Sequence, residues 1–483
     1  MPTVKALPHS LLGLVLLVKA SAATYYVSPA GNDSYAGTSN QPFATPQKAM
    51  STIASGDTIY VMAGTYFCTA EVKAAKSGTA GNYCKLWAYP GAMPVLDFTN
   101  AASGLRGIYV GKDYWHVRGI EVANSKDNGI LISGGYSIIE GCVVHDSNDD
   151  GIYITSSSGV QGHHNLILNC DSFRNYQATA HGNNGDGFAA KTGCGPGNVF
   201  RGCRAWNNSD DGWDFYDNDT NSVTIEGCWA FANGLNLWSD PAFDGNGNGF
   251  KLGGASTHAR HLVQNCVAFD NVHDGFDQNH TKGAQTIYNC TGFRNGVNFQ
   301  FPELPTVGVD VLKNNLAYSG SLAINAPAQV VSNSWQGFTV TAADFLSLDA
   351  TMAQAPRNPD YSLPTNNFAR LAAGCALIDK GVDVGLPYNG AAPDLGAYEF
   401  VQPAATPRSI RFEGPPAGLR FTNGGLNLRL NGLTSHGPVV LYASANCANW
   451  NPILTNPPAS GSLSLFDPTA TNWPQRFYRA EER

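Results

Sequence analysis

Charge is scarce in this 483-residue chain: charged residues make up 14 % of it and sum to a formal −8. No basic stripe is available to neutralise phosphates, which excludes nucleic acid as a partner. An acidic polymer could bind only through local cations, either side chains or metal. Long apolar runs are missing as well. The run "LLGLVLLV" from Leu11 to Val18 is too short to span a bilayer, and nothing downstream replaces it, so no membrane partner is expected. With Lys5 before it and the small residues Ala20 to Ala22 behind it, the run reads as a secretory signal over residues 1–22, and the protein as extracellular or periplasmic. The eleven cysteines contain no Cys-x-x-Cys pair, which argues against a zinc site.

What is present is turn-forming and β-forming. The chain holds 53 Gly and 27 Pro, with Val, Ile, Thr and aromatics in short bursts. Six cysteines sit in a repeat: "IIEGCVVHDS" (Cys142), "LILNCDSFRN" (Cys170), "VFRGCRAWNN" (Cys203), "TIEGCWAFAN" (Cys228), "LVQNCVAFDN" (Cys266) and "TIYNCTGFRN" (Cys290), spaced by 28, 33, 25, 38 and 24 residues. The residue three before each cysteine is apolar. In the last five copies the residue three after is aromatic and the residue five after is asparagine: Asn175, Asn208, Asn233, Asn271 and Asn295. A period of this length signals a solenoid. Short β-rich units with an in-register asparagine fit a parallel β-helix, in which like residues stack from coil to coil. The six cysteines are then a buried thiol stack of small hydrophobes. Cys68 and Cys84, outside that stack, are the pair best placed for a disulfide.

The solenoid is expected to begin near Thr24, to carry a short helix opened by Thr45-Pro46 that caps its open end, and to close at Phe400. The organisation read from this is a signal at 1–22, a β-helix at 23–400, a linker at 401–408 and a small β-sandwich-like module at 409–483. Trp450 and the Arg476-Phe477-Tyr478 segment of that module read as core packing rather than carbohydrate contacts.

A second register runs through the same coils: "NDDGIYI", "NGDGFAAK", "SDDGWDFY", "GNGFKLG" and "VHDGFDQN". Aligning Gly151, Gly187, Gly212, Gly249 and Gly275 puts a large apolar residue next, facing inward. The position after it, Tyr153, Ala189, Asp214, Lys251 and Asp277, should face solvent. Asp186, Asp210, Asp211 and Asp214 thereby converge on two adjacent coils. Carboxylates this close resist joint ionisation, and a hard cation resolves the conflict. An all-oxygen set without His or Cys points to Ca²⁺. Asp-Gly is also a turn signal in its own right; Asp150 and Asp274 read as turns, whereas Asp210 and Asp214 lie outside the Asp-Gly pair. Spacing alone reads Lys251 equally as a rung in a cross-coil ion-pair ladder.

"NNGDGF", "NNSDDGWDFY" and "GNGFKLGG" resemble, in order and spacing, the signature segments of the pectate lyases and related enzymes of polysaccharide lyase family nine. The likeness runs from about Thr24 to Phe400. It implies a right-handed parallel β-helix, a calcium site at Asp186, Asp210, Asp211 and Asp214, and Lys251 as the base of a β-elimination on an acidic plant cell-wall polysaccharide. Because lysine acts as a base only when neutral, and bound calcium would lower its pKa, an alkaline optimum and loss of activity on chelation are expected. Lys191 and Asn279, each four residues after an aligned glycine, are candidates for binding substrate carboxylates. The protein is expected to act as a monomer.

Three alternatives stand beside this reading. One is a lyase of the same fold acting on rhamnogalacturonan I. A second is a polygalacturonase-type hydrolase using Asp186, Asp210 and Asp211, against which the chain lacks Gly-His-Gly and Arg-Ile-Lys segments. The third is a non-catalytic β-helix that binds carbohydrate.

Overall fold

The computed structural model describes residues 22–157, 159–254, 257–325, 327–401, 410–422, 424–435 and 437–483. The secretory-signal reading, apart from Ala22, and the linker reading, apart from Val401, lie outside the described residues. Two compact units divide after Phe400.

The first unit is a parallel β-helix. Among the described residues, each coil contributes a short strand to three parallel sheets of twelve, ten and ten strands. Sheet one runs from Thr24–Val27 to Gln329–Val331, sheet two from Val72–Lys73 to Ser321–Ile324, and sheet three from Thr65–Phe67 to Leu316–Tyr318. Because a strand alternates its side chains, every coil sends one set inward. The apolar residues before each repeat cysteine, Ile139, Ile167, Phe200, Ile225, Val263 and Ile287, are all fully buried in this core.

The six repeat cysteines are free, fully buried and stacked. Successive coils pass a backbone amide to the next thiol, as from Cys170 to Cys203 at 3.5 Å and from Cys203 to Cys228 at 3.4 Å. At the next corner the asparagines form the expected ladder. Asn175 Nδ2 donates to Asn208 at 2.9 Å, Asn208 to Asn233 at 3.0 Å, Asn233 to Asn271 at 2.9 Å and Asn271 to Asn295 at 2.9 Å. The helix Pro46–Thr52, N-capped by Thr45, buries Ala49 and Met50 against the first coils.

The Cys68 to Cys84 disulfide is corrected. Both thiols are free. Cys84 opens a strand of sheet one and points its thiol toward Ala54 O, whereas Cys68 follows a strand of sheet three and turns toward Tyr66 O.

The regular coils stop at Val331, and residues 332–400 stay within the same unit as a strap with two short 3₁₀ turns. The strap covers a ladder of rings on the outer face of sheet three: Phe173, Trp206, Phe231, Phe269 and Phe293, stacked with centroids 4.4 to 5.6 Å apart. Phe368 packs over Phe269 at 4.8 Å. Arg357 of the strap shares Asp171 with Arg204, at 2.7 Å each, in a buried triad.

The second unit has two antiparallel sheets, one of 411–412, 419–422, 425–434 and 460–467, the other of 439–444, 451–456 and 477–482. Leu428, Leu430, Val439, Leu441 and Leu465 form its core. Tyr478 packs against that core, and Trp450 is half-buried beside Arg479. No helix among the described residues is long and apolar enough to cross a membrane.

Candidate active site

Sheet two carries the acidic register. The inward residues Ile152, Phe188, Trp213, Phe250 and Phe276 are fully buried, and the four rings stack at 4.7 to 5.0 Å. The glycine before each lets adjacent backbones close up; a Cβ on Gly212 would stand 2.6 Å from Gly249 O. Fixing the inward ring fixes the outward residue. Tyr153 pairs with Ala189, Ala189 with Asp214, Asp214 with Lys251 and Lys251 with Asp277, in the expected register.

The expectation that this position faces solvent does not hold in the middle of the row. Ala189 is fully buried, and Asp214 and Asp277 are only 4 % and 7 % exposed. Lys191, Lys251 and Tyr216 stand against Asp214, and two loops that contain Asn183–Asn184 and Asp244–Asn246 border the clefts beside it.

Ligand oxygens of Asp186, Asp211 and Asp214 all lie within 4.8 Å of one another, and all three residues are buried. Each spends one oxygen on a backbone amide. Asp186 Oδ1 accepts from Asp211 N at 2.9 Å, Asp211 Oδ1 from Asn248 N at 2.8 Å, and Asp214 Oδ1 from Tyr216 N at 2.8 Å. The second oxygens meet two ammonium groups. Lys191 Nζ stands 2.7 Å from Asp186 Oδ2 and 3.2 Å from Asp214 Oδ2. Lys251 Nζ stands 2.9 Å from Asp211 Oδ2 and 3.7 Å from Asp214 Oδ2. Asp211 Oδ2, although close to Lys251, is buried without a hydrogen bond. An orphaned carboxylate oxygen among all-oxygen donors suits a hard divalent cation, and Ca²⁺ fits this set.

Asp210 is adjacent but committed elsewhere. Its oxygens accept from Asn184 N at 3.0 Å and Asn246 N at 2.5 Å, one from each bordering loop. Asp150, read above as a turn residue, belongs with the cluster: it is buried, accepts from Asp186 N at 3.3 Å and lies 3.6 Å from Lys191 Nζ. Its place in the same Asp-Gly register was the signal for it. Lys191 is therefore part of the acidic cluster rather than a free outward cation. Asn279 is engaged too, donating from its amide to Asp277 at 2.7 Å and from Nδ2 to Gly253 O at 2.5 Å.

The charges shift one another. Burial raises Asp211 well above the usual carboxylate range, and Asp210, Asp186 and Asp214 add to this against the pull of Lys251. Burial and Asp186 bring Asp210 up to about 6. Asp214 goes the other way, because Lys251 and Lys191 outweigh its burial. Burial works to lower Lys251, but Asp211, Asp214, Asp210 and Asp186 outweigh it and hold the ammonium protonated well above the usual lysine range.

Lys251 stands where two open clefts meet. One, of about 340 Å³, is lined by Tyr153, Asn183, Lys191, Tyr216 and Asp217; the other, of about 360 Å³, by Asp210, Asp244, Asn246 and His273. Tyr216, whose ring centre lies 5.9 Å from Lys251 Nζ, lines the first cleft and His273 the second; the sequence reading singled out neither.

Known proteins are similar to this chain over most of its β-helical unit. The family model described as "Pel9A-like, right handed beta helix region" matches residues 25–315. Pectate lyase L of Dickeya dadantii is 39 % identical, over 78 % of this chain and 90 % of its own length. Pectate lyase PEL9 of Emericella nidulans is 32 % identical, over 73 % of this chain and 93 % of its own length. Among solved structures, pectate lyase Pel9A is similar with a TM-score of 0.74 at 38 % identity, covering 79 % of this chain and 97 % of that one. A rhamnogalacturonan lyase follows with a TM-score of 0.65 at 30 % identity, covering 73 % and 97 %.

Proposed function

The chain belongs to the Pel9A-like right-handed β-helix family, and from that membership we propose that it is a polysaccharide lyase that cleaves pectate by β-elimination. Its partner is then an acidic plant cell-wall polymer, met outside the cytoplasm by an exported monomer. Asp186, Asp211 and Asp214 supply the oxygens of a calcium site, with Asp210 as their acidic neighbour, and Lys251 is the base. The observation that carries this reading is the position of Lys251, in register between Asp214 and Asp277 at the junction of two clefts, with Nζ 2.9 Å from the buried, unbonded Asp211 Oδ2.

Lys251 takes the proton from carbon 5 of a uronate onto its Nζ. The electron pair of that C–H bond forms the C4–C5 double bond, and the C4–O bond breaks. The glycosidic oxygen leaves and is protonated from solvent. Nζ can accept a proton only when neutral, and the aspartates around it oppose that form. Calcium bound by the three carboxylates would supply positive charge that offsets theirs and stabilises charge developing on the substrate carboxylate. Tyr216 and Tyr153 wall the first cleft and limit the approach of the chain. Lys191 holds Asp186 and Asp214 in place.

The test is ultraviolet absorbance of the unsaturated uronate product at alkaline pH, with polygalacturonate and rhamnogalacturonan I as separate substrates. The expected result is a rise on polygalacturonate that chelator abolishes. A rise on rhamnogalacturonan I alone would transfer the assignment to the second solved relative's substrate. Release of reducing ends with no absorbance would mean hydrolysis instead.

A further inference from the structure

The C-terminal unit lies beyond the matched residues 25–315, and its charge is opposite to that of the rest. Residues 401–483 hold seven arginines, no lysine and four carboxylates, a formal +3 in a chain of −8, which leaves −11 on the remainder. We propose that the outer face of its four-segment sheet is a binding surface for the polyuronate chain itself; this rests on the lyase reading for the identity of the polymer.

The sheet's alternation settles which residues share the face. Phe412, Leu430 and Leu463 form one inward row, and Leu419, Leu428 and Leu465 another. Between them, Arg411 pairs with Asn431 and Ser462, Arg429 with Ser464, and Arg420 with Asn427 and Phe466, all on the outward side. Arg411, Arg420, Arg429 and Asn427 are exposed, and Phe466 is 42 % exposed. Arg429 lies 3.4 Å from Glu413 and donates to Ser462 at 3.1 Å, whereas Arg411 and Arg420 have no carboxylate partner among the described residues. The two unpaired guanidinium groups stand opposite strand positions four residues apart, about 13 Å along the strand at roughly 3.4 Å per residue, with Arg429 between them.

A row of guanidinium groups, flanked by amides and hydroxyls and ending at an exposed ring, suits a linear polymer that carries one carboxylate per sugar. Each carboxylate can be gripped by a guanidinium fork. The amides and hydroxyls match the ring hydroxyls, and Phe466 offers a surface for a sugar's C–H face. Tethering such a face to the lyase raises the local concentration of substrate without any change at the catalytic cluster.

The experiment is native electrophoresis of the full chain through gels containing polygalacturonate, neutral dextran or single-stranded DNA, all in chelator. Wild type is compared with the Arg411→Gln, Arg420→Gln, Arg429→Gln triple variant and with Asp211→Asn. Polygalacturonate is expected to retard wild type and Asp211→Asn alike, dextran neither. The triple variant should lose at least about tenfold in apparent affinity, the scale of a few charge-assisted contacts, while keeping the wild-type melting curve and turnover of a short soluble oligogalacturonate. Equal retardation of the triple variant and wild type would overturn the proposal, as would DNA retarding wild type as strongly as polygalacturonate. If wild type makes no unsaturated product yet the triple variant loses retardation, the lyase reading fails and the binding face stands.

Discussion

His145, the first rung of the ring ladder on sheet three, stacks on Phe173 at 4.9 Å with Nδ1 2.7 Å from Asp146 and Nε2 3.2 Å from Glu121. Burial opposes its charge, but the two carboxylates outweigh burial and raise its pKa to about 9. A folded-state value above the unfolded one near 6.5 means that the paired imidazolium stabilises the fold fully below pH 6.5, and that this contribution is lost as pH rises through 9. It is worth about 3 kcal/mol at most. Thermal melting of wild type and His145→Gln should therefore differ most at pH 6 and converge by pH 10; a constant difference across that range would contradict the assignment. Other residues show what spacing can reveal. The residue before each repeat cysteine is Gly or Asn because the corner there is left-handed, with φ of 59° at Gly141, 54° at Asn169 and 55° at Asn265. That constraint was legible in "EGC", "LNC" and "QNC". The carboxylate cluster was legible as well, down to the pairing of Asp214 with Lys251. Its burial was not, because alternation assigns a side chain to a face and says nothing of what lies over that face.

The loops beside the cluster are insertions. Two of the longer cysteine spacings, 33 and 38 residues, belong to the coils whose loops hold Tyr176–Asn184 and Leu235–Asn246. These loops meet across the shorter coil between them: Tyr176 stacks on Trp238 at 4.6 Å, and Asp240 accepts from Tyr176 at 2.7 Å and His181 at 2.9 Å. Asp210 joins both loops from beneath. The strap at 332–400 was less legible, since it has no repeat and its apolar residues answer to the ring ladder rather than to each other. Its anchor is the triad of Asp171, Arg204 and Arg357. Asp171 is held below the usual range because Arg357 and Arg204 outweigh its burial. Asp171→Ala would leave two buried guanidinium groups without a carboxylate, a loss of about 3 to 5 kcal/mol. Chemical denaturation should show that loss, and an unchanged midpoint would mean that the strap is held by its apolar contacts alone.

For the whole molecule, the β-helix was readable because one short unit, unable to bury its own apolar side, recurs until its copies bury each other. The same stacking that makes a core of cysteines, asparagines and rings also forces unlike residues together where function needs them, as at Asp214, Lys251 and Asp277 on consecutive coils. The C-terminal unit follows a different pattern of antiparallel strands, and its opposite charge gives the chain two surfaces of contrary sign. The proposed chemistry centres on Lys251 as the base beside a carboxylate cage. The measurement that tests this most directly is the rate of unsaturated product formation from polygalacturonate by Lys251→Ala, with calcium binding of the same variant followed by titration calorimetry. The expected result is a loss of at least about 10²-fold in rate, the scale of a missing general base, with calcium still bound. A rate within about threefold of wild type would contradict it.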